Sequence, residues 1–311
     1  MPQPSIPLPP PAVPPPQVKR AGPVLYMLAA VALFALMDAG LKLLAPHYPA
    51  LQVATLRGAS ALPLVLGWSL ASIGARGLLR VHWPLHLLRG GLGVTMMAGF
   101  VYGLRTLPLS TAYAISFIAP LLVTAMAVPI LGEKVGPRRW GAIVVGLAGV
   151  LVVLRPTGQG MMTLGGLAIL LAAVCYAASA ITVRVLAQRD STQAMVFWLM
   201  LILVVGGGAL SWHEWTPVQA RHWWVIAGIG AVGTMAQVLL TEAFRRGEAS
   251  MIAPFEYTAL VWGVMLDVAL WQVLPDGMTW LGAGIIVASG LYLVRRERVR
   301  HVAHAQPAGR P

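Results

Sequence analysis

One set of landmarks occurs twice in this chain, about 140 residues apart, and any fold has to accommodate both copies. Leu104-Arg105-Thr106-Leu107-Pro108-Leu109-Ser110 is answered by Phe244-Arg245-Arg246-Gly247-Glu248-Ala249-Ser250. Arg105 aligns with Arg245, Ser110 with Ser250, Ala119 with Ala259, Val128 with Val268 and Trp140 with Trp280. After a one-residue slip, Gly141, Ala142 and Gly149 align with Gly282, Ala283 and Gly290. The opening segments correspond too, with Leu28, Phe34 and Lys42 facing Leu170, Tyr176 and Arg184 at a spacing of 142 residues. Arg, Ser and Trp-Gly-Ala landmarks kept in one order exceed the general likeness of apolar helices, so the chain predicts two copies of one structural unit.

The solvent for that unit is lipid. Of 311 residues, 58% are hydrophobic and 10% are charged, whereas a soluble domain is about 25% charged. A helix crossing a ~30 Å hydrocarbon core needs about 20 apolar residues. Ten such segments are read near 24 to 45, 51 to 72, 84 to 104, 111 to 131, 138 to 154, 163 to 187, 192 to 212, 222 to 243, 251 to 274 and 278 to 294. The expectation is an all-α polytopic membrane protein of ten transmembrane helices, five in residues 24–156 and five in 163–296. The first 23 residues hold nine prolines before Gln17 and no apolar run, which reads as a disordered leader rather than a signal peptide. Residues 297–311 read as a similar tail.

With the N-terminus in the cytoplasm, fifteen Lys and Arg residues fall on the cytoplasmic side and three, Arg105, Arg155 and Arg221, on the other. That satisfies the positive-inside rule and puts both termini in the cytoplasm. A net charge of +12 in another setting would suggest nucleic acid, but here it is spread over short loops and one tail. Five spans per half is an odd number, so the halves are inserted in opposite senses. Inverted repeats related by a pseudo-two-fold axis in the membrane plane are the basis of alternating access in secondary transporters.

Finer motifs carry a family resemblance. Leu107-Pro108-Leu109-Ser110, Ala114-Ile115-Ser116-Phe117-Ile118-Ala119-Pro120, Leu131-Gly132-Glu133-Lys134-Val135, Arg139-Trp140-Gly141 and Leu154-Arg155-Pro156 together resemble the EamA-type repeat of the drug/metabolite transporter superfamily. Ala253-Pro254-Phe255-Glu256-Tyr257-Thr258-Ala259-Leu260 and Ala288-Ser289-Gly290-Leu291-Tyr292 resemble the matching region of the second repeat. The resemblance spans residues 24 to 296. It implies ten helices in two inverted five-helix repeats, a central cavity, the bacterial inner membrane, and movement of small metabolites such as amino acids, nucleotides, riboflavin or S-adenosylmethionine. One departure is that Gly132-Glu133-Lys134 is matched by Gln272-Val273-Leu274-Pro275. Glu133 is thus no half of a symmetric site, and a cytoplasmic-gate or capping role fits it better.

Ionisable groups deep in a bilayer cost several kcal/mol unless paired or wet, which makes them functional candidates. The cations are Lys42, Arg57, Arg89 and Arg184; the carboxylates are Asp38, Glu242, Glu256 and Asp267. Glu256 is the leading candidate, because it follows Pro254 and loosened backbone at membrane depth is tolerated only against protein or a water-filled cavity. Its counterpart is Ser116, so a carboxylate on one side of the axis faces a hydroxyl on the other, a patch suited to an ammonium group or a proton. Phe117, Phe255 and Tyr257 are placed to stack on a ring or a cation. The competing reading of Glu256 is a structural pair with a buried Arg. Asp38 and Lys42, four apart on one helix, are expected to neutralise each other, with substrate contact as the other use of Asp38. Arg57 and Arg89 stand among small residues and either hold an anion or anchor a helix. Gln237, Glu242, Tyr102 and Arg105 would line the same cavity. Gly99 and Gly103, Ala142 and Gly146, and Gly284 and Ala288 form four-residue stripes that let helices approach, and a homodimer contact is a further use of such stripes. Trp83, Trp140, Trp212, Trp215, Trp223, Trp224 and Trp280 fall at span ends, where interfacial anchors belong.

Two other functions compete. An intramembrane enzyme needs a general base, yet all seven histidines lie in loops, span ends or the tail, and no Gly-x-Ser-x-Gly, His-Glu-x-x-His or metal cluster occurs. A non-transporting scaffold needs no inward carboxylate. The sequence therefore predicts no catalytic residues, metal or cofactor, and no nucleotide-binding loop. Its partners are a small-molecule substrate and the bilayer, and its driving force is a proton exchanged at Glu256 or the substrate's own gradient.

Overall fold

The computed structural model describes residues 21–131, 137–154, 163–186, 189–246 and 253–305. The Gly132-Glu133-Lys134 motif, Ser250 and most of both tails lie outside them. Eleven α-helices are described: α1 (Ala21–Leu44), α2 (Ala50–Leu79), α3 (Trp83–Leu104), α4 (Leu109–Ser116), α5 (Ala119–Leu131), α6 (Pro137–Leu154), α7 (Leu164–Leu186), α8 (Thr192–Ser211), α9 (Trp223–Arg246), α10 (Ala259–Leu266) and α11 (Gly277–Ala305). Proline, which has no N–H to satisfy and a helix-compatible φ, marks several starts. Pro49 precedes α2, Pro84 sits in the first turn of α3 and Pro108 precedes α4. Ser191 caps α8 by accepting the Ala194 N–H at 3.2 Å.

Seven helical stretches are long and apolar enough to cross a membrane: Gly22–Leu44, Ala50–Leu79, Trp83–Leu104, Leu109–Ile130, Leu164–Val183, Thr192–Glu214 and Ala220–Leu240. Among the described residues these account for seven of the ten expected spans, and the other three differ from the expectation. Trp140–Val153 and Gly277–Ser289 are apolar but shorter. The segment read as a single span over 251 to 274 is broken into a 3₁₀ turn (Ala253–Thr258), α10 and a π turn (Asp267–Trp271). At the C-terminus α11 runs to Ala305, beyond the expected tail boundary at 297. Arg295, Arg296, Glu297 and Arg298 are good helix formers, which allows the extension.

The helices pack almost entirely across the two halves. The main pairs are α1 with α9, α2 with α8, α3 with α7, and α6 with α11, and α4 also packs on α10. Let α1, α2, α3, α5 and α6 exchange with α7, α8, α9, α10 and α11, as the alignment of Ala119 with Ala259 requires. The α1–α9 pair then becomes α3–α7, the α2–α8 and α6–α11 pairs map onto themselves, and the contact of α5 with α7 answers that of α10 with α1.

Burial is that of a protein in lipid. Leu64, Leu87, Leu151, Leu171 and Leu210 are exposed, while Gln52, Ser69, Ser110 and Asp267 are fully buried. All seven tryptophans named above are exposed, at or beside helix ends. The small-residue stripes divide. A Cβ on Gly99 would lie 2.7 Å from the Ala168 carbonyl oxygen, so α3 and α7 meet backbone to backbone there. Gly284 faces open space and Ala288 is exposed, so that stripe packs nothing within the chain.

Candidate functional site

The strongest polar constellation joins the two halves where α1 finishes and α4 begins. The π turn at the end of α10 buries the Asp267 carboxylate against the first turn of α4. Its Oδ1 accepts from Lys42 Nζ at 2.8 Å and from the Leu109 N–H at 3.0 Å. Its Oδ2 accepts from the Ser110 N–H at 2.8 Å and the Ser110 hydroxyl at 2.7 Å. Pro108 offers no side-chain cap, so Asp267 from the other half caps α4 and also meets the positive end of its dipole. The Lys42 ammonium lies over the Trp271 ring, 4.1 Å from its centroid.

Asp38 therefore does not pair with Lys42. Its Oδ2 accepts the Tyr113 hydroxyl at 2.8 Å, and the Arg57 charge acts on it from α2. Spacing along one helix cannot see partners on other elements, and Lys42 reaches the better hydrogen-bonded carboxylate. Arg57 Nε also donates to Met37 Sδ at 3.3 Å. With Gln237 it lines a small open cleft between α2, α8 and α9, whose wall includes Val196, Met200 and Thr234.

Glu256 sits half-buried on the 3₁₀ turn before α10. It makes no hydrogen bond and no ion pair among the described residues, whereas Asp38, Asp190 and Asp267 are all engaged. Its charge acts on the hydroxyls of Tyr257 and, from α7, of Tyr176. Tyr257 meets Phe117 edge to face, with centroids 5.1 Å apart at 85°. Ser116, beside Phe117 at the end of α4, is half-buried.

The candidates thus fall into separate places. Glu256 acts electrostatically on Tyr257 and Tyr176 beside Phe117, while Arg57 and Gln237 line the α2–α8–α9 cleft and Asp38, on α1, feels the Arg57 charge. Phe255 packs instead with Met27, Val31 and Ala243. Arg89 is buried and donates to the Met195 carbonyl at 2.6 Å, anchoring α3 to α8. Tyr102 is 39% exposed on α3. Arg105 is spent on the Ala45 and Tyr48 carbonyls at 2.9 and 2.6 Å, so it staples the α1–α2 turn and lines no cavity. Sequence reasoning missed the Tyr113 partner of Asp38 and the pair His86–Asp190 at 2.8 Å, which ties α3 to the α7–α8 connection. The sequence marks Lys42 and Asp267 as ionisable groups at membrane depth and Ser110 as a repeated landmark, but nothing in it joins the three.

Fold and site together define an all-α, multi-pass membrane protein of two like halves with charged groups buried between them. The chain belongs to the EamA-like transporter family, whose model matches residues 22–155 and 163–295. It is 26% identical to the pseudopaline exporter CntI of Pseudomonas aeruginosa over 280 residues, 90% of this chain and 98% of the relative. It is 30% identical to a riboflavin transporter of Rhizobium johnstonii over 71% of this chain and 74% of that one. An S-adenosylmethionine uptake transporter of Rickettsia bellii is 28% identical over 69% of this chain and 72% of that one. A solved crystal structure shares the fold with a TM-score of 0.62 at 19% identity, covering 91% of this chain and 99% of the other.

Proposed function

We propose that this chain moves a small polar metabolite, of amino-acid, nucleotide-like or vitamin-like size, across the bacterial inner membrane by alternating access, with Glu256 in the substrate path. In this reading ten helical segments form two inverted five-helix repeats with both termini in the cytoplasm. The Lys42–Asp267 cluster is then the periplasmic gate, closed in this structure. The observation that carries the proposal is the contrast among carboxylates within the helices: Asp267 and Asp38 are held by the protein's own donors, and half-buried Glu256 meets no donor among the described residues. The relatives add support from outside, since those named above are a metabolite exporter and two metabolite transporters.

The test is untargeted metabolite profiling of cells and medium from a bacterial host expressing wild type or Glu256→Gln at equal membrane levels. A small set of metabolites is expected to redistribute with wild type and not with the variant. No redistribution in a host shown to contain amino acids, nucleotides and vitamins would overturn the transporter reading. Identical redistribution by both proteins would remove Glu256 from the path. Coupling to protons through Glu256 predicts that collapsing the pH gradient stops accumulation; unchanged accumulation would leave the substrate gradient as the driving force.

A further inference from the structure

We propose that Glu256 and the aromatic side chains beside it select substrates bearing an organic cation, a protonated or quaternary nitrogen. The inference rests on the transport reading above and adds the charge class of the cargo. The carboxylates of the other polar clusters have partners from the chain itself: Lys42 for Asp267, Arg57 acting on Asp38, and the His86 ring hydrogen-bonded to Asp190. Glu256 has none among the described residues, and Phe255 and Tyr257 flank it in the chain. Tyr257 and Phe117 are fixed edge to face, and Tyr176 comes from α7 with 41% of its surface exposed. The Tyr176 and Tyr257 hydroxyls, like the carboxylate, take part in no hydrogen bond among the described residues. A carboxylate and two hydroxyls with no hydrogen-bond partner among the described residues thus stand in one electrostatic neighbourhood, with the Phe117–Tyr257 ring pair fixed beside them. A carboxylate attracts a cation by charge, aromatic faces attract it through their quadrupole, and hydroxyl oxygens accept from N–H groups. An anionic group at the same point would meet only repulsion from Glu256.

The experiment uses the full chain in lipid nanodiscs and measures dissociation constants from thermal stabilisation by two matched pairs. Tyramine is compared with tyrosol, and choline with 3,3-dimethylbutanol; in each pair a cationic nitrogen gives way to a neutral group of similar shape. At least one cation is expected to bind about tenfold or more tightly than its neutral partner, as a charge-assisted contact of this kind allows. The discrimination should disappear in Glu256→Gln and return in part in Glu256→Asp, with both variants monodisperse. Equal binding of neutral partners, no binding by either cation, or undiminished discrimination in Glu256→Gln would overturn the proposal. The two readings fail separately. Redistribution of only neutral or anionic metabolites in cells would leave transport standing and remove the cation. Cation-selective binding without any redistribution would do the reverse.

Discussion

Asp267 does two jobs with one carboxylate, and substitutions there should separate them. Lys42→Met leaves a fully buried carboxylate without its counter-charge, a change worth about 3 kcal/mol or more of stability. Asp267→Asn keeps an acceptor for the α4 amides but strands the ammonium. The double variant should be less destabilised than the sum of the singles, and thermal unfolding of the four purified proteins measures the difference. Tyr113→Phe removes the one hydrogen bond to Asp38 and should cost about 1–3 kcal/mol by the same assay. The residues were unevenly legible in the sequence. Glu256 announced itself by following Pro254 in an apolar run, and Phe117 and Tyr257 were named with it. The partner of Lys42 was illegible because it lies 225 residues away on the other half, where helical spacing carries no information.

Elements were read best where one apolar run formed one continuous helix, and worst where tertiary contacts bent the backbone. The seven stretches long and apolar enough to cross a membrane all fall on expected segments, although Leu109–Ile130 is divided into α4 and α5 by a turn at Phe117 and Ile118. The break between Ala253 and Trp271 follows from Pro254 at one end and from a π turn at the other, which no hydropathy profile records. Gln272 closes that turn in the left-handed region at φ 56°. Close packing of α3 on α7 gives a paired prediction. Gly99→Ala sets a methyl against the Ala168 carbonyl, which cannot move aside as a side chain can, and should destabilise by about 1–3 kcal/mol. Gly91→Ala on the same helix meets nothing within 4 Å and should be neutral or slightly stabilising. The pair of unfolding temperatures decides whether that contact was rightly placed.

The symmetry of helix pairing belongs to the whole molecule, and so does the gate that breaks it. In a Cys175→Ala background, Ser110→Cys should resist a membrane-impermeant thiol reagent, because Ser110 is fully buried under Asp267, whereas Trp215→Cys at an exposed loop should react. Adding Lys42→Met should raise Ser110→Cys labelling, as the closed state loses its ion pair; unchanged labelling would mean the cluster holds the fold and not a gate. The repeat places Arg184 opposite Lys42, but Ala127 opposite Asp267. In the inverted arrangement the far face thus has the cation of the clasp and lacks its acid. Opening one face separates a lysine, an aspartate and three further hydrogen-bond donors in a single event, and opening the other has no such step. On the proposed alternating-access cycle the two conformers would then differ in dwell time, and the carrier would idle with Glu256 turned toward the unclasped face. Such a bias sets how often cargo on each side finds the door open, while the gradients alone decide which way the net current runs.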